Sequence, residues 1–136
     1  MKLRTFALWF VVFALALPCF AGPMKAGKWQ VTITTEMPGM PMKMPPTIFT
    51  TCVTKEQAEN PQPPAAKKDS DCKISNYKLD GNTVTWTIEC PKQKTTGEGK
   101  IVYSSDSYIG ETHMKMSDME MTQKYSGKYL GACDEK

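Results

Sequence analysis

Beyond Arg4 the chain contains no arginine, and its one histidine is His113. Without arginine there is no planar fork to clamp a phosphate, and a formal charge of +3 is far from the basic balance of a nucleic-acid binder. No two cysteines stand in the close C-x₂₋₄-C spacing of a structural zinc site. The only long apolar run is Phe6 to Leu17, too short for a comfortable membrane span. Internal repeats, coiled-coil heptads and a second hydrophobic core are all missing. Gly97-Glu98-Gly99 lies within a strand-like stretch and lacks the phosphate-loop pattern, so sheet curvature explains it better.

What is present begins with an export signal. Lys2 and Arg4 precede the Phe6–Leu17 run, and Cys19-Phe20-Ala21 offers a small-residue cleavage site. Residues 1–21 are therefore expected to be a removed signal peptide, leaving a single domain over 22–136 in the periplasm or outside the cell. With the leader gone, basic and acidic residues nearly balance. A domain of this size buries roughly two-thirds of its unfolded surface. Cys19 falls inside the leader, and Cys52, Cys72, Cys90 and Cys133 remain. An even number in a small exported chain implies two disulfides, in any of three connectivities.

Strand patterns dominate the rest. Trp29, Val31 and Ile33 share one parity, and Lys28, Gln30, Thr32, Thr34 and Glu36 the other, which marks a half-buried strand. Pro38 to Pro46 interrupts regular pairing. Thr47–Val53 follows as a strand, and Thr54-Lys-Glu-Gln57 has the capping-box pattern of a short helix stopped by Asn60-Pro61. Pro61 to Asp71 reads as a surface loop. Gly81-Asn82 suits a type II′ turn between strands near Cys72–Asp80 and Thr83–Cys90. Three further strands are expected at about Thr95–Ser104, Ser107–Met116 and Met119–Tyr129. The fold class is all-β: an antiparallel meander of about seven strands, curled or forming an open barrel, with one short helix after the second strand.

Register arithmetic tests the last two hairpins. With the final turn at Ser117-Asp118, Lys115 faces Glu120, His113 faces Thr122 and Glu111 faces Lys124. On the other face Met116 meets Met119, Met114 meets Met121, and Gly110 meets Tyr125. A turn at Ser105-Asp106 sets Lys100 against Glu111, Glu98 against His113, Tyr103 against Tyr108, and Ile101 against Gly110. Both turns sort charges onto one face and Met, Tyr and Gly onto the other. A one-residue slip would mix the sets.

Little here supports catalysis. His113 sits on the charged face, and no nucleophile or oxyanion signature accompanies it. The expectation is a non-enzymatic protein without a cofactor. Methionine is the unusual residue: of ten, seven fall in two tracts, Met40, Met42 and Met44, then Met114, Met116, Met119 and Met121. Flexible thioethers suit an irregular core or an adaptable apolar surface. They are also soft ligands that favour Cu(I), with Ag(I) as its redox-silent analogue, so a Cu(I) buffer using these seven residues is the alternative reading. Trp29, Trp86, Tyr103, Tyr108 and Tyr125 share the methionine face and could line a pocket for an apolar ligand.

The order of residues also resembles a known family. Gly27-Lys-Trp29-Gln-Val-Thr, Met37-Pro-Gly-Met-Pro-Met-Lys-Met-Pro-Pro46 and Thr51-Cys52-Val-Thr54 carry the likeness. Cys72-Lys-Ile-Ser-Asn-Tyr77, Gly81-Asn-Thr-Val-Thr-Trp86, Cys90, Thr96-Gly-Glu-Gly99 and Leu130-Gly-Ala-Cys133 continue it. Together they are similar to the bacterial exported family catalogued as domain of unknown function 3617, over nearly all of the mature chain. The resemblance implies a small exported domain and supplies no catalytic residues and no established ligand. Gly27-x-Trp29 is also similar to the lipocalin opening, but the arginine that lipocalins stack over this tryptophan has no counterpart here. The expected role is binding, of a small apolar ligand or an envelope protein, with no nucleic acid and no membrane span after signal cleavage.

Overall fold

The computed structural model describes residues 22–63 and 71–134. The expected leader, 1–21, lies outside the described residues, as do 64–70 of the expected Pro61–Asp71 loop. Seven antiparallel strands form one sheet: β1 Gly27–Glu36, β2 Thr47–Val53, β3 Lys73–Asp80, β4 Thr83–Cys90, β5 Thr95–Tyr103, β6 Ser107–Met116 and β7 Met119–Gly131. The sheet order is β2-β1-β7-β6-β5-β4-β3. The expected meander therefore runs unbroken from β3 to β7, and β7 then pairs with β1 rather than ending the sheet. The link from β2 to β3 crosses from one edge to the other, and the sheet stays open.

The expected registers hold across both final hairpins. Lys115 pairs with Glu120, Glu111 with Lys124, Met114 with Met121 and Met116 with Met119. Glu98 pairs with His113 and Tyr103 with Tyr108. Gly81 adopts φ 60° while Asn82 stays in the ordinary region, as a type II′ turn requires. Asn82 also donates its side-chain amide to the Tyr103 carbonyl at 2.8 Å, tying this turn to the end of β5.

One face holds the core. Val84, Trp86, Ile88 and Cys90 alternate inward along β4 and pack with Ile101 and Tyr103 of β5. Glycines make room for the large rings. An ideal Cβ on Gly99 would lie 2.1 Å from the Trp86 ring, and one on Gly127 would lie 2.0 Å from the Tyr108 ring. Each ring thus lies across the neighbouring backbone, which a side chain at either glycine would forbid. The Trp86 indole Nε1 and the Thr112 hydroxyl are buried in this layer without a hydrogen-bond partner among the described residues.

The helix and the disulfides secure the two ends of that face. Helix α1, Lys55–Glu59, has the expected capping box. The Gln57 amide donates to Thr54 Oγ1 at 3.2 Å, and the Thr54 amide donates to Gln57 Oε1 at 3.0 Å. Five residues are too few to be helical alone, so the buried Ala58 anchors the turn to the domain. Cys52 bonds to Cys133, with Cα atoms 5.6 Å apart, joining edge strand β2 to the chain beyond β7. Cys72 bonds to Cys90, Cα to Cα 4.1 Å, joining the residue just before β3 to the end of β4. The open choice among three connectivities is thereby resolved. No helix among the described residues is long and apolar enough to cross a membrane.

Candidate functional site

The inward face has two ends with different chemistry. At one end the pairings run Tyr103–Tyr108–Gly127–Val31–Phe49 across β5, β6, β7, β1 and β2. Beside that row lies Ile101–Gly110–Tyr125–Ile33. At the other end the rows are Gly97–Met114–Met121 and Thr95–Met116–Met119.

The aromatic end is built around small residues. With no side chain at Gly127, the Tyr108 ring reaches across to Trp29, centroid to centroid 5.6 Å, and touches Tyr103 on its other side at 5.5 Å. Trp29 is fully buried, and its indole donates to the Lys25 carbonyl at 2.9 Å. Tyr129 closes edge-on against the same indole at 5.5 Å.

Between this floor and the α1 side lies a cleft of about 300 Å³. Val31, Ile33, Ile101 and the three tyrosines Tyr103, Tyr108 and Tyr125 form its floor, and Phe49 its β2 flank. Met24, Gln57 and Pro61 wall it from the other side. Tyr77 on β3 donates its hydroxyl to the Pro61 carbonyl at 2.7 Å, which anchors that wall. Among the described residues, no lysine, aspartate, glutamate or histidine lines this cleft. Larger hollows are lined differently. One of about 460 Å³ joins Met114 and Met121 to Glu98, His113, Lys115 and Glu120 of the charged face, two of about 350 and 420 Å³ include Lys100 and Glu111, and one of about 780 Å³ includes turn residues Gly81, Asn82, Ser104 and Ser105. None presents a continuous apolar lining.

Burial sets the acid–base state of the tyrosines. It pushes the Tyr103 phenol up, with the neighbouring Tyr108 and Tyr77 phenols adding to the rise, and it pushes Tyr108 up to about 12. Burial also raises Tyr125. All three are neutral hydrogen-bonding groups at any physiological pH. Tyr125 donates its hydroxyl to Gln123 Oε1 at 2.7 Å.

Of the five aromatic residues expected on a ligand face, Tyr103, Tyr108 and Tyr125 line the cleft. Trp29 and Trp86 lie on the same face but are packed beneath other groups, 0% and 3% exposed. Val31, Ile33 and Ile101 were legible as inward positions from parity. Phe49, Met24 and Pro61 were not identified as lining residues. Only the β1–β2 pairing, Val31 to Phe49, places Phe49 there, and the two loops carry no periodic signal.

The methionine end is less enclosed. Met114, Met116 and Met121 are half-buried, and Met119 is 58% exposed. Met114 occupies the space beside Gly97, where an ideal Cβ would come within 2.9 Å of its Cγ. Met40, Met42 and Met44 are 57%, 81% and 41% exposed in the loop between β1 and β2. Among the described residues, no group of three His, Cys, Asp or Glu side chains is arranged to hold a metal.

His113 is an exposed member of the charged face. Its Nδ1 is 3.0 Å from Thr122 Oγ1, as the register implies, and its Nε2 is 3.3 Å from Glu111 Oε1 on the same strand. Lys124 meets Glu36 at 2.9 Å on that face.

The protein is thus a disulfide-stapled, single-sheet antiparallel β domain whose inward face carries a cleft that no charged side chain lines among the described residues. A family model described as a protein of unknown function, DUF3617, matches residues 24–133, and the chain belongs to that family. No curated protein and no solved structure matches the chain.

Proposed function

We propose that this is a non-enzymatic exported protein that binds a small apolar ligand in the cleft between β1, β5, β6 and helix α1. The observation that carries this reading is a largely apolar hollow of about 300 Å³ with no ionised side chain in its lining among the described residues. That size lies at the lower end of small-molecule sites, which are apolar with a few placed polar groups. The exported compartment, periplasmic or extracellular, is supported by two disulfides in a chain with a leader-like N-terminus. Titration with the neutral fluorophore N-phenyl-1-naphthylamine tests the binding. The expected result is saturable enhancement that a cleft-filling Val31→Trp variant loses while keeping its far-ultraviolet dichroism. Binding unchanged by Val31→Trp would move the site elsewhere, and no binding would remove the proposal.

A second reading is favoured by one specific arrangement, the facing pairs Met114–Met121 and Met116–Met119. Four thioethers on one face are a soft donor set suited to Cu(I). Anaerobic competition of the oxidised protein against a colorimetric Cu(I) chelator tests it. Stoichiometric binding tighter than micromolar, lost when the four are changed to leucine, would favour copper. Weak binding that survives the change would count against it.

A further inference from the structure

The cleft's polar groups narrow what can occupy it. Tyr103 is 4% exposed and lines the cleft beside Tyr108, yet neither hydroxyl has a hydrogen-bond partner among the described residues. By contrast the Tyr125, Tyr77 and Trp29 polar atoms nearby are each satisfied by the protein. A buried phenol normally finds a partner, because leaving it unpaired costs the desolvation of the group. Neither hydroxyl is sealed away like the Trp86 indole and Thr112 hydroxyl, and both residues line the cleft. Among the described residues, no cation lines the site to compensate a carboxylate, and no carboxylate lines it to compensate an amine. A charged head group there would be desolvated without a counter-charge.

We propose that the cleft takes an uncharged amphiphile, an apolar body with one alcohol, ester or ketone head, and that the Tyr103 and Tyr108 hydroxyls hydrogen-bond that head. This rests on the apolar-ligand reading and adds the head group's charge and its two partners. Each phenol both donates and accepts, so the pair serves a carbonyl oxygen or a hydroxyl equally well. The Tyr103–Tyr108 cross-strand pairing sets the two rings beside one another, centroids 5.5 Å apart.

The experiment is competition of four eight-carbon probes, 1-octanol, 1-chlorooctane, octanoate and octylammonium, against N-phenyl-1-naphthylamine at neutral pH. In the native protein 1-octanol is expected to bind at least about tenfold tighter than octanoate or octylammonium. It should also bind tighter than 1-chlorooctane, which has the same body without the hydroxyl. A Tyr103→Phe/Tyr108→Phe variant keeps both rings. It should bring 1-octanol level with 1-chlorooctane. Octanoate binding as tightly as 1-octanol would overturn the inference, as would a 1-octanol advantage that survives the double substitution. If 1-chlorooctane binds and 1-octanol has no advantage, this inference alone fails. If no probe and no fluorophore binds, the apolar-ligand reading fails with it.

Discussion

The two ends of the inward face are made from the same sheet and the same alternation, yet they reach different results. At the aromatic end, Gly127 lets Tyr108 lie flat across the backbone onto Trp29, and helix α1 with Pro61 stands over the floor. At the methionine end the chain offers flexible thioethers on adjacent strands, with Met119 exposed and the Met40–Met44 tract turned to solvent. Rigid rings beside glycines leave a shaped hollow, whereas unbranched side chains collapse into whatever space they find. The aromatic end thus has a rigid floor and a separate wall, whereas the hollow beside Met114 and Met121 shares its lining with Glu98, His113 and Lys115. Each end also has its own staple: Cys52–Cys133 at the aromatic end, Cys72–Cys90 beside the methionines.

That pairing of staples offers the largest test. Cys52 and Cys133 are 81 residues apart in sequence and Cys72 and Cys90 are 18 apart. Loop-closure entropy then predicts losses of about 4.5 and about 3 kcal/mol for the respective Cys→Ala pairs. Chemical denaturation should rank them in that order, and only loss of Cys52–Cys133 should weaken probe binding in the cleft. Equal losses, or the reverse order, would show that native-state contacts outweigh chain entropy at these sites.

Next in size is Gly127→Val. Its Cβ would fall inside the Tyr108 ring, so ring and backbone must part, at a cost of about 1–3 kcal/mol. Because the ring forms the cleft floor, fluorophore binding should fall in the same variant. A stable variant that still binds would mean that Tyr108 does not shape the site.

Alkaline titration separates the ends without mutation. Burial raises Tyr108 from 10.0 to about 12, so the fold favours the neutral phenol over the phenolate. The stability this contributes is complete below about pH 10, the unfolded value, and is lost as pH rises through about 12. Thermal denaturation should weaken across that window, and Tyr108→Phe should flatten the decline.

The smallest effects belong to the methionine end. Changing Met114, Met116, Met119 and Met121 to leucine, near-isosteric swaps, should cost under about 1 kcal/mol each and leave the cleft probe bound as before. A loss of several kcal/mol at any one would mean that this end is packed as specifically as the other.

How much of this was readable in the residues depends on the kind of signal. Strands β4 to β7 were legible because Val84, Trp86, Ile88 and Cys90 alternate strictly and because charges on β5, β6 and β7 fall opposite partners only in one register. The capping box announced α1. What pattern could not convey was pairing between distant segments. β1 joining β7, the choice of Cys52–Cys133, and Phe49 standing beside Val31 all depend on where the chain goes after it leaves a strand. The cleft inherits that limit: its floor was visible as parity on β1, β5, β6 and β7, while Met24 and Pro61 come from stretches with no period. The β3 edge illustrates the same point, since Asn76, at φ 51°, interrupts the register between Ser75 and Lys78 without a glycine to mark it.

The most direct test of the central claim, that the aromatic end is the binding site, is a methyl NMR spectrum of the protein labelled at isoleucine and methionine. It is recorded first with 1-octanol and then with Ag(I). The account predicts that 1-octanol shifts the methyls of Ile33, Ile101 and Met24 and leaves those of Met114, Met116, Met119 and Met121 in place. Silent isoleucines with 1-octanol, together with stoichiometric Ag(I) shifts of those four methionines, would contradict it and place the site at the opposite end of the sheet.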